Sequence, residues 1–156
     1  ADHSPVPMTS VQAMINFDMI GRNETPSKQT DGLIEIAADT SNEVNVVGLK
    51  YSPDYRSAVE RANRQVDLRI STKWDEDTVV NVLFRSDQYP FLLHNIPAMW
   101  WFTGFHPDYH QITDTADRIN YSKMEKILKL AALTGLDFAS SEKPPAFLST
   151  GAPTAK

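Results

Sequence analysis

AMINFDMIGRN, residues 13–23, decides how the rest of the chain is read. Ala13, Ile15 and Phe17 alternate with Met14 and Asn16, the period of two that marks a strand, and the run stops at Asp18 with Gly21 close behind. A carboxylate there stands at the carboxyl end of a strand, where open α/β sheets place their ligands. Spacing alone also suits a turn residue or a helix cap. A second stretch adds weight to Asp18: FTGFHPDYHQITDT, residues 102–115, puts His106, Asp108, Tyr109, His110 and Asp114 in a loop that follows another apolar strand.

Working outward, residues 44–51 are almost continuously apolar and read as a buried strand covered on both faces. Ser52-Pro53 is a helix start, with serine as cap and proline in the first turn. Tyr55, Ala58, Val59, Ala62 and Val66 then recur at helical spacing, with Arg56 and Glu60 as an i,i+4 pair on the other face. Residues 66–71 alternate as a further strand, and the acidic run 74–81 reads as exposed. Residues 86–95 suit a short helix capped by Ser86 or Asp87, with Pro90 limiting where it starts. A turn at 95–97 leads into the strand 98–102. In the closing helix, Ser122 and Glu125 fit a capping box, and Met124, Ile127, Leu128 and Ala131 form a stripe that ends near Gly135. Residues 1–7 read as an extended lead-in and 23–32 as a turn-rich loop. Residues 1–140 make one unit, and the Pro/Ser/Thr-rich tail 141–156 is expected to add little to its core. The fold class expected from this order is α/β, part of a three-layer α/β/α sandwich.

The balance of residues excludes some partners. Net charge is −5, and the 15 basic residues are scattered, so the basic footprint that nucleic acid requires is missing. The longest apolar stretch, 98–102, is far too short to span a bilayer, and no signal peptide is expected within this segment. With 0 cysteines, a metal would be held by carboxylate and imidazole. The chain starts at Ala1 without methionine, and ADHSPVP lacks a domain's opening signals, so the expectation is a piece of a longer protein.

The blocks NFDMIGR (16–22) and RSDQYPFLLHNIPAMWWFTGFHPDYHQITDT (85–115), followed by the closing helix, resemble the C-terminal half of the catalytic domain of the clan MH di-zinc aminopeptidases, the leucyl-aminopeptidase-type exopeptidases. The resemblance runs over residues 11–136. It implies a sandwich of the zinc-exopeptidase type and removal of N-terminal residues from peptide substrates by metal-activated water. Asp18 and His110 match ligands of two different zinc ions. Tyr109 matches the hydroxyl that donates to the oxyanion, and Arg85 matches a contact to the substrate or product backbone. Asp114 matches a residue that orients the His110 ring, although it also suits a cap of the loop before Arg118. Relatives usually read RSDH where this chain has Gln88, which bears on a supporting contact. Of the aromatic run 99–105, Phe102 and Phe105 are favoured as walls for an apolar N-terminal side chain. A secreted or periplasmic location is favoured by the resemblance alone.

The residues by themselves leave alternatives open. His106 and His110, four apart, would share a face if helical and could bind one ion, or they are surface histidines; Tyr109 serves equally as a packing residue. The family's remaining site residues, an H-x-D segment, a bridging aspartate and an adjacent pair of glutamates, precede the first matched block. Glu24, Glu35 and Glu43 are isolated, and the chain holds no Glu-Glu pair. The expectation is a chain that binds zinc weakly, hydrolyses nothing alone, needs the upstream half of its domain, and self-associates through an exposed sheet edge. The rival expectation is a non-catalytic binding or structural domain on the same fold.

Overall fold

The computed structural model describes residues 4–149. Four strands form one mixed sheet: β1 (Met14–Phe17), β2 (Glu43–Val47), β3 (Arg69–Ser71) and β4 (Ala98–Phe102), in the order β1-β4-β2-β3. β1 runs parallel to β4 with Met14 opposite Ala98, β4 antiparallel to β2 with Trp101 opposite Val46, and β2 parallel to β3. The two central strands, β2 and β4, are buried at every position, as their apolar runs predict. The edge strands carry mixed burial.

Alternation along the central strands splits the core. Val44, Val46, Met99 and Trp101 face the helices α1 (Pro53–Asn63) and α3 (Tyr121–Ala139), which pack against each other on one side of the sheet. Trp101 is fully buried there, and truncating it to alanine would cost about 3–5 kcal/mol. Val47, Ala98, Trp100 and Phe102 face the other side. That side is covered by the short helix α2 (Tyr89–Leu93) and by 3-10 turns at Lys73–Asp75 and Val82–Phe84. The sheet is therefore layered on both faces, one face by helices and the other largely by turns.

The turn layer corrects in part the expectation that residues 74–81 are exposed: Glu76, Thr78, Val79 and Asn81 are, but Trp74, Asp75 and Val80 are buried. Trp74 is fully buried, and Val80, Val82 and Leu83 join it in the core. Carboxylates fold this segment inward: Asp77 accepts from the backbone N–H groups of Val79, Val80 and Val82, at 2.9, 2.9 and 3.1 Å, while the buried Asp75 accepts from Gly48 and Lys50. Glu76 is solvated as expected, whereas Asp75 and Asp77 satisfy backbone donors.

Boundaries also move. The strand expected over 44–51 ends at Val47, where Gly48 adopts φ +104° and starts a 3-10 turn; a Cβ there would lie 2.7 Å from the Ala98 carbonyl oxygen. Ser52 caps α1 as expected, accepting from the Tyr55 N–H at 3.2 Å. For α3 the cap is Asn120, which accepts from the Lys123 N–H at 3.1 Å, and Ser122 lies inside the helix. The helix also passes Gly135 to end at Ala139. The tail does contribute to the core: Phe147 stacks on Tyr51 at 6.2 Å and the Leu148 N–H reaches the Tyr51 carbonyl at 2.7 Å. The lead-in residues 1–3 and tail residues 150–156 lie outside the described residues. Among the described residues no helix is long and apolar enough to cross a membrane.

Candidate functional site

Because β1 and β4 are parallel neighbours, their carboxyl ends open on the same rim. The chain leaves β1 at Asp18 and leaves β4 at Thr103, and these exits are stitched together. The Trp100 indole N–H donates to the Asp18 carbonyl at 2.8 Å, and the Thr103 N–H and hydroxyl both donate to the Met19 carbonyl, at 3.0 and 2.7 Å. A cavity of about 340 Å³ opens there, lined by Asp18, Met19, Arg85, Trp100, Phe105, Tyr109, His110 and Asp114.

Asp18 is oriented from below. Its carboxylate accepts from the Ser86 hydroxyl at 2.7 Å, and that hydroxyl in turn accepts from Asn16 at 2.8 Å. Gln88, fully buried, accepts from the same Asn16 amide at 3.3 Å and donates to the Leu83 carbonyl at 2.7 Å. The residue that departs from the family's RSDH is thus built into the support under Asp18.

The loop after β4 is a series of tight turns. Tyr109 N–H bonds the His106 carbonyl at 3.0 Å, Gln111 N–H bonds the Asp108 carbonyl at 2.8 Å, and His110 adopts φ +57°. This removes the helical two-histidine alternative: residues 107–110 are turns, and His106 points inward while His110 is exposed at the cavity. His106 is 3% exposed, and burial, aided by the Arg22 guanidinium, pushes its imidazole below the usual value. Tyr109 lies between Phe105, edge-on at 5.2 Å, and the His110 ring, stacked at 3.8 Å.

The other expected residues divide. Arg85 comes to the cavity from the turn layer and is exposed. Phe105 lines it, but Phe102 does not; Phe102 is fully buried among Trp74, Trp100 and Phe105, and the apolar wall is made with Met19 and Trp100 instead. Asp114 is at the rim, and the hydrogen bond its carboxylate makes is to Arg22 rather than to the His110 ring.

Three residues that shape the site, Arg22, Asp108 and Glu24, carry no role in the sequence reading. Arg22 binds both Asp108, at 2.7 Å, and Asp114. Asp108 also accepts from Thr113 at 2.7 Å and Arg118 at 2.9 Å; hydrogen bonds from Arg22 and Thr113 first of all hold its carboxyl down at about 2. Glu24, almost fully buried, pairs with Lys73 at 2.6 Å beneath the loop, and burial holds its carboxyl above the usual value despite that ammonium. The acidic and basic residues of NFDMIGRNE were a signal, but only the folded loop shows which carboxylates they meet.

Carboxylate and imidazole are the right chemistry for zinc, and Asp18 and His110 offer one of each to a shared cavity. The number falls short. Among the described residues no three histidine, aspartate or glutamate side chains converge to hold an ion.

A mixed sheet thus carries a polar and aromatic cavity at the carboxyl ends of parallel strands, where the NFDMIGR and HPDYH segments meet. Residues 1–134 match the sequence profile of peptidase family M28, and the chain belongs to that family. Among solved structures, the LapA aminopeptidase of Legionella pneumophila is similar in fold, with a TM-score of 0.54 and 17% identity. The match covers 85% of this chain and 32% of that one, so this chain spans about a third of its neighbour's length. A search of curated proteins finds no match.

Proposed function

We propose that this chain forms part of a zinc-dependent exopeptidase catalytic domain, presenting Asp18 to one ion and His110 to another, in a parent protein that removes N-terminal residues from peptides. The observation that carries this is the convergence of Asp18, Arg85, Tyr109 and His110, distant in sequence, on one cavity. Zinc bound by a full ligand set polarises a peptide carbonyl and activates water. The chain's own residues take the other tasks. The Tyr109 hydroxyl donates to the oxygen on which negative charge develops. Arg85 offers its planar fork to backbone carbonyls or a carboxylate. Met19, Trp100 and Phe105 give an apolar side chain a wall that excludes water.

One donor per ion is fewer than the three a catalytic zinc uses, so further ligands and the general base come from the upstream half of the domain. β1, an edge strand with Phe17 nearly half exposed, is where additional strands of a larger sheet would join. That no three such donors converge among the described residues equally favours a second reading, a binding or structural domain that has kept the peptidase fold.

Zinc titration of the full chain by calorimetry, together with a leucine p-nitroanilide assay, separates these. The expected result is a Kd weaker than about 10 µM, roughly −7 kcal/mol, with further weakening in Asp18→Asn and His110→Ala and no turnover. Tight stoichiometric binding or turnover would overturn the incomplete site. Binding indifferent to both substitutions would overturn the ligand assignment, and no binding at any concentration would favour the non-catalytic reading.

A further inference from the structure

Among the contacts that fasten the loop carrying Tyr109 and His110 to the chain leaving β1, one guanidinium reaches both sides of His110. Arg22 follows Asp18 by four residues, and its two terminal nitrogens go to different carboxylates, one to Asp108 at 2.7 Å and the other to Asp114. Those carboxylates stand on either side of His110, two residues before it and four after. Between them His110 holds a left-handed backbone conformation, φ +57°, which a non-glycine residue keeps only when its surroundings fix it. Arg22 is itself anchored: its carbonyl accepts from the buried Lys123 ammonium at 2.8 Å, and the neighbouring Gly21 carbonyl accepts from the Asn120 N–H at 2.8 Å, so the N-terminus of α3 sets its height.

We infer that Arg22 is the positioning residue of this site, a two-armed clamp that holds the His110 imidazole and Tyr109 hydroxyl at a fixed place relative to Asp18. The inference rests on the reading of Asp18, Tyr109 and His110 as site residues. The planar fork is the reason for arginine. One rigid group spans two carboxylates in a fixed relation, whereas a lysine ammonium is a point donor and satisfies one carboxylate well. Arg118 also reaches Asp108, at 2.9 Å, but the structure gives it no contact with Asp114, so it supports one arm and does not bracket His110.

The test uses the full chain as wild type, Arg22→Ala, Arg22→Lys and Arg118→Ala, with two readouts: backbone ¹⁵N relaxation of residues 107–114 without metal, and zinc affinity followed on the His110 ring resonances. In Arg22→Ala the loop order parameters are expected to fall from about 0.85 to below about 0.6, while the strands stay rigid. Zinc affinity at His110 is expected to fall about tenfold or more, the usual cost of losing a residue that orients a ligand. Arg22→Lys should recover part of both losses, and Arg118→Ala should leave both near wild type. A loop that stays ordered in Arg22→Ala, or loosens equally in Arg118→Ala, overturns the inference. If Arg22→Ala does not fold, Asp114→Asn severs one arm at an exposed carboxylate and is expected to mobilise residues 110–114; an unchanged loop there overturns the clamp. A wild-type chain without any zinc response at His110 would count against the site reading, while the metal-free relaxation comparison still decides the role of Arg22.

Discussion

The side chain of Glu24 fills the space that a Cβ on Gly104 would occupy. Gly104 begins the loop that descends to His110, at φ +86°, and the contact locks that loop to the chain leaving β1. Both left-handed backbone and close approach require glycine here. Gly104→Ala is expected to destabilise the chain by about 2–4 kcal/mol, from overpacking and backbone strain together. Urea denaturation measures it, and a loss under about 1 kcal/mol would show that Glu24 moves aside freely.

Lys123 gives the chain a distinctive alkaline response. It is 2% exposed, and burial pushes its ammonium down to about 8, with Glu43, Glu24 and Asp39 opposing. Between pH 8 and 10.5 the folded chain has released a proton that the unfolded chain keeps, so the unfolded state binds more protons and stability rises with pH. From pH 8 to 9.5 the gain is expected to be about 1–2 kcal/mol. Above pH 10 Tyr51, held up at about 12 mainly by burial, works in the opposite direction. Denaturation at several pH values should show the rise in wild type and its loss in Lys123→Met; equal slopes would contradict this.

Two candidate caps for α3 are distinguishable. Asn120 accepts from the Lys123 N–H and donates to Asn23 at 3.1 Å and to the Ser41 carbonyl at 3.2 Å, whereas Ser122 makes no cap contact. Asn120→Ala is expected to cost about 1–2 kcal/mol and Ser122→Ala under about 0.5 kcal/mol. The reverse order in thermal or urea unfolding would restore the capping box read from Ser122 and Glu125.

The free edge of β1 sets the association behaviour of the chain. With Phe17 45% exposed beside unpaired backbone groups, self-association that weakens on dilution is expected by light scattering. Phe17→Lys should shift the chain to monomer, because a charge on an edge strand opposes pairing. A wild-type monomer at high concentration would contradict the prediction.

What the sequence made legible was whatever has a period or a named cap. The alternation around Ile15 and the apolar run from Ala98 to Phe102 locate the strands, and Ser52-Pro53 locates α1, because these signals are local. Within residues 74–81 the burial of Trp74, Asp75 and Val80 was misread because the inward turns depend on Asp75 and Asp77 accepting from backbone N–H groups, a pattern without periodicity. In the site, the resemblance pointed to Asp18, Arg85, Tyr109 and His110, which line the cavity, but alternation could not separate Phe102 from Trp100 as a wall. Arg22 went unnoticed because its partners lie 86 and 92 residues away, a relation only the parallel pairing of β1 and β4 creates.

The proximity of Asp18 and His110 is the claim on which the functional reading stands. With 0 cysteines in the chain, Asp18→Cys/His110→Cys carries two unique thiols. A short bifunctional thiol reagent that fluoresces only after both arms react reads their separation directly. Rapid intramolecular crosslinking is expected of this pair and none in Asp18→Cys/His94→Cys, since His94 borders a different cavity, formed with Val11, Pro97 and Phe147. An unreactive 18/110 pair, or equal reaction of the 18/94 pair, would contradict it.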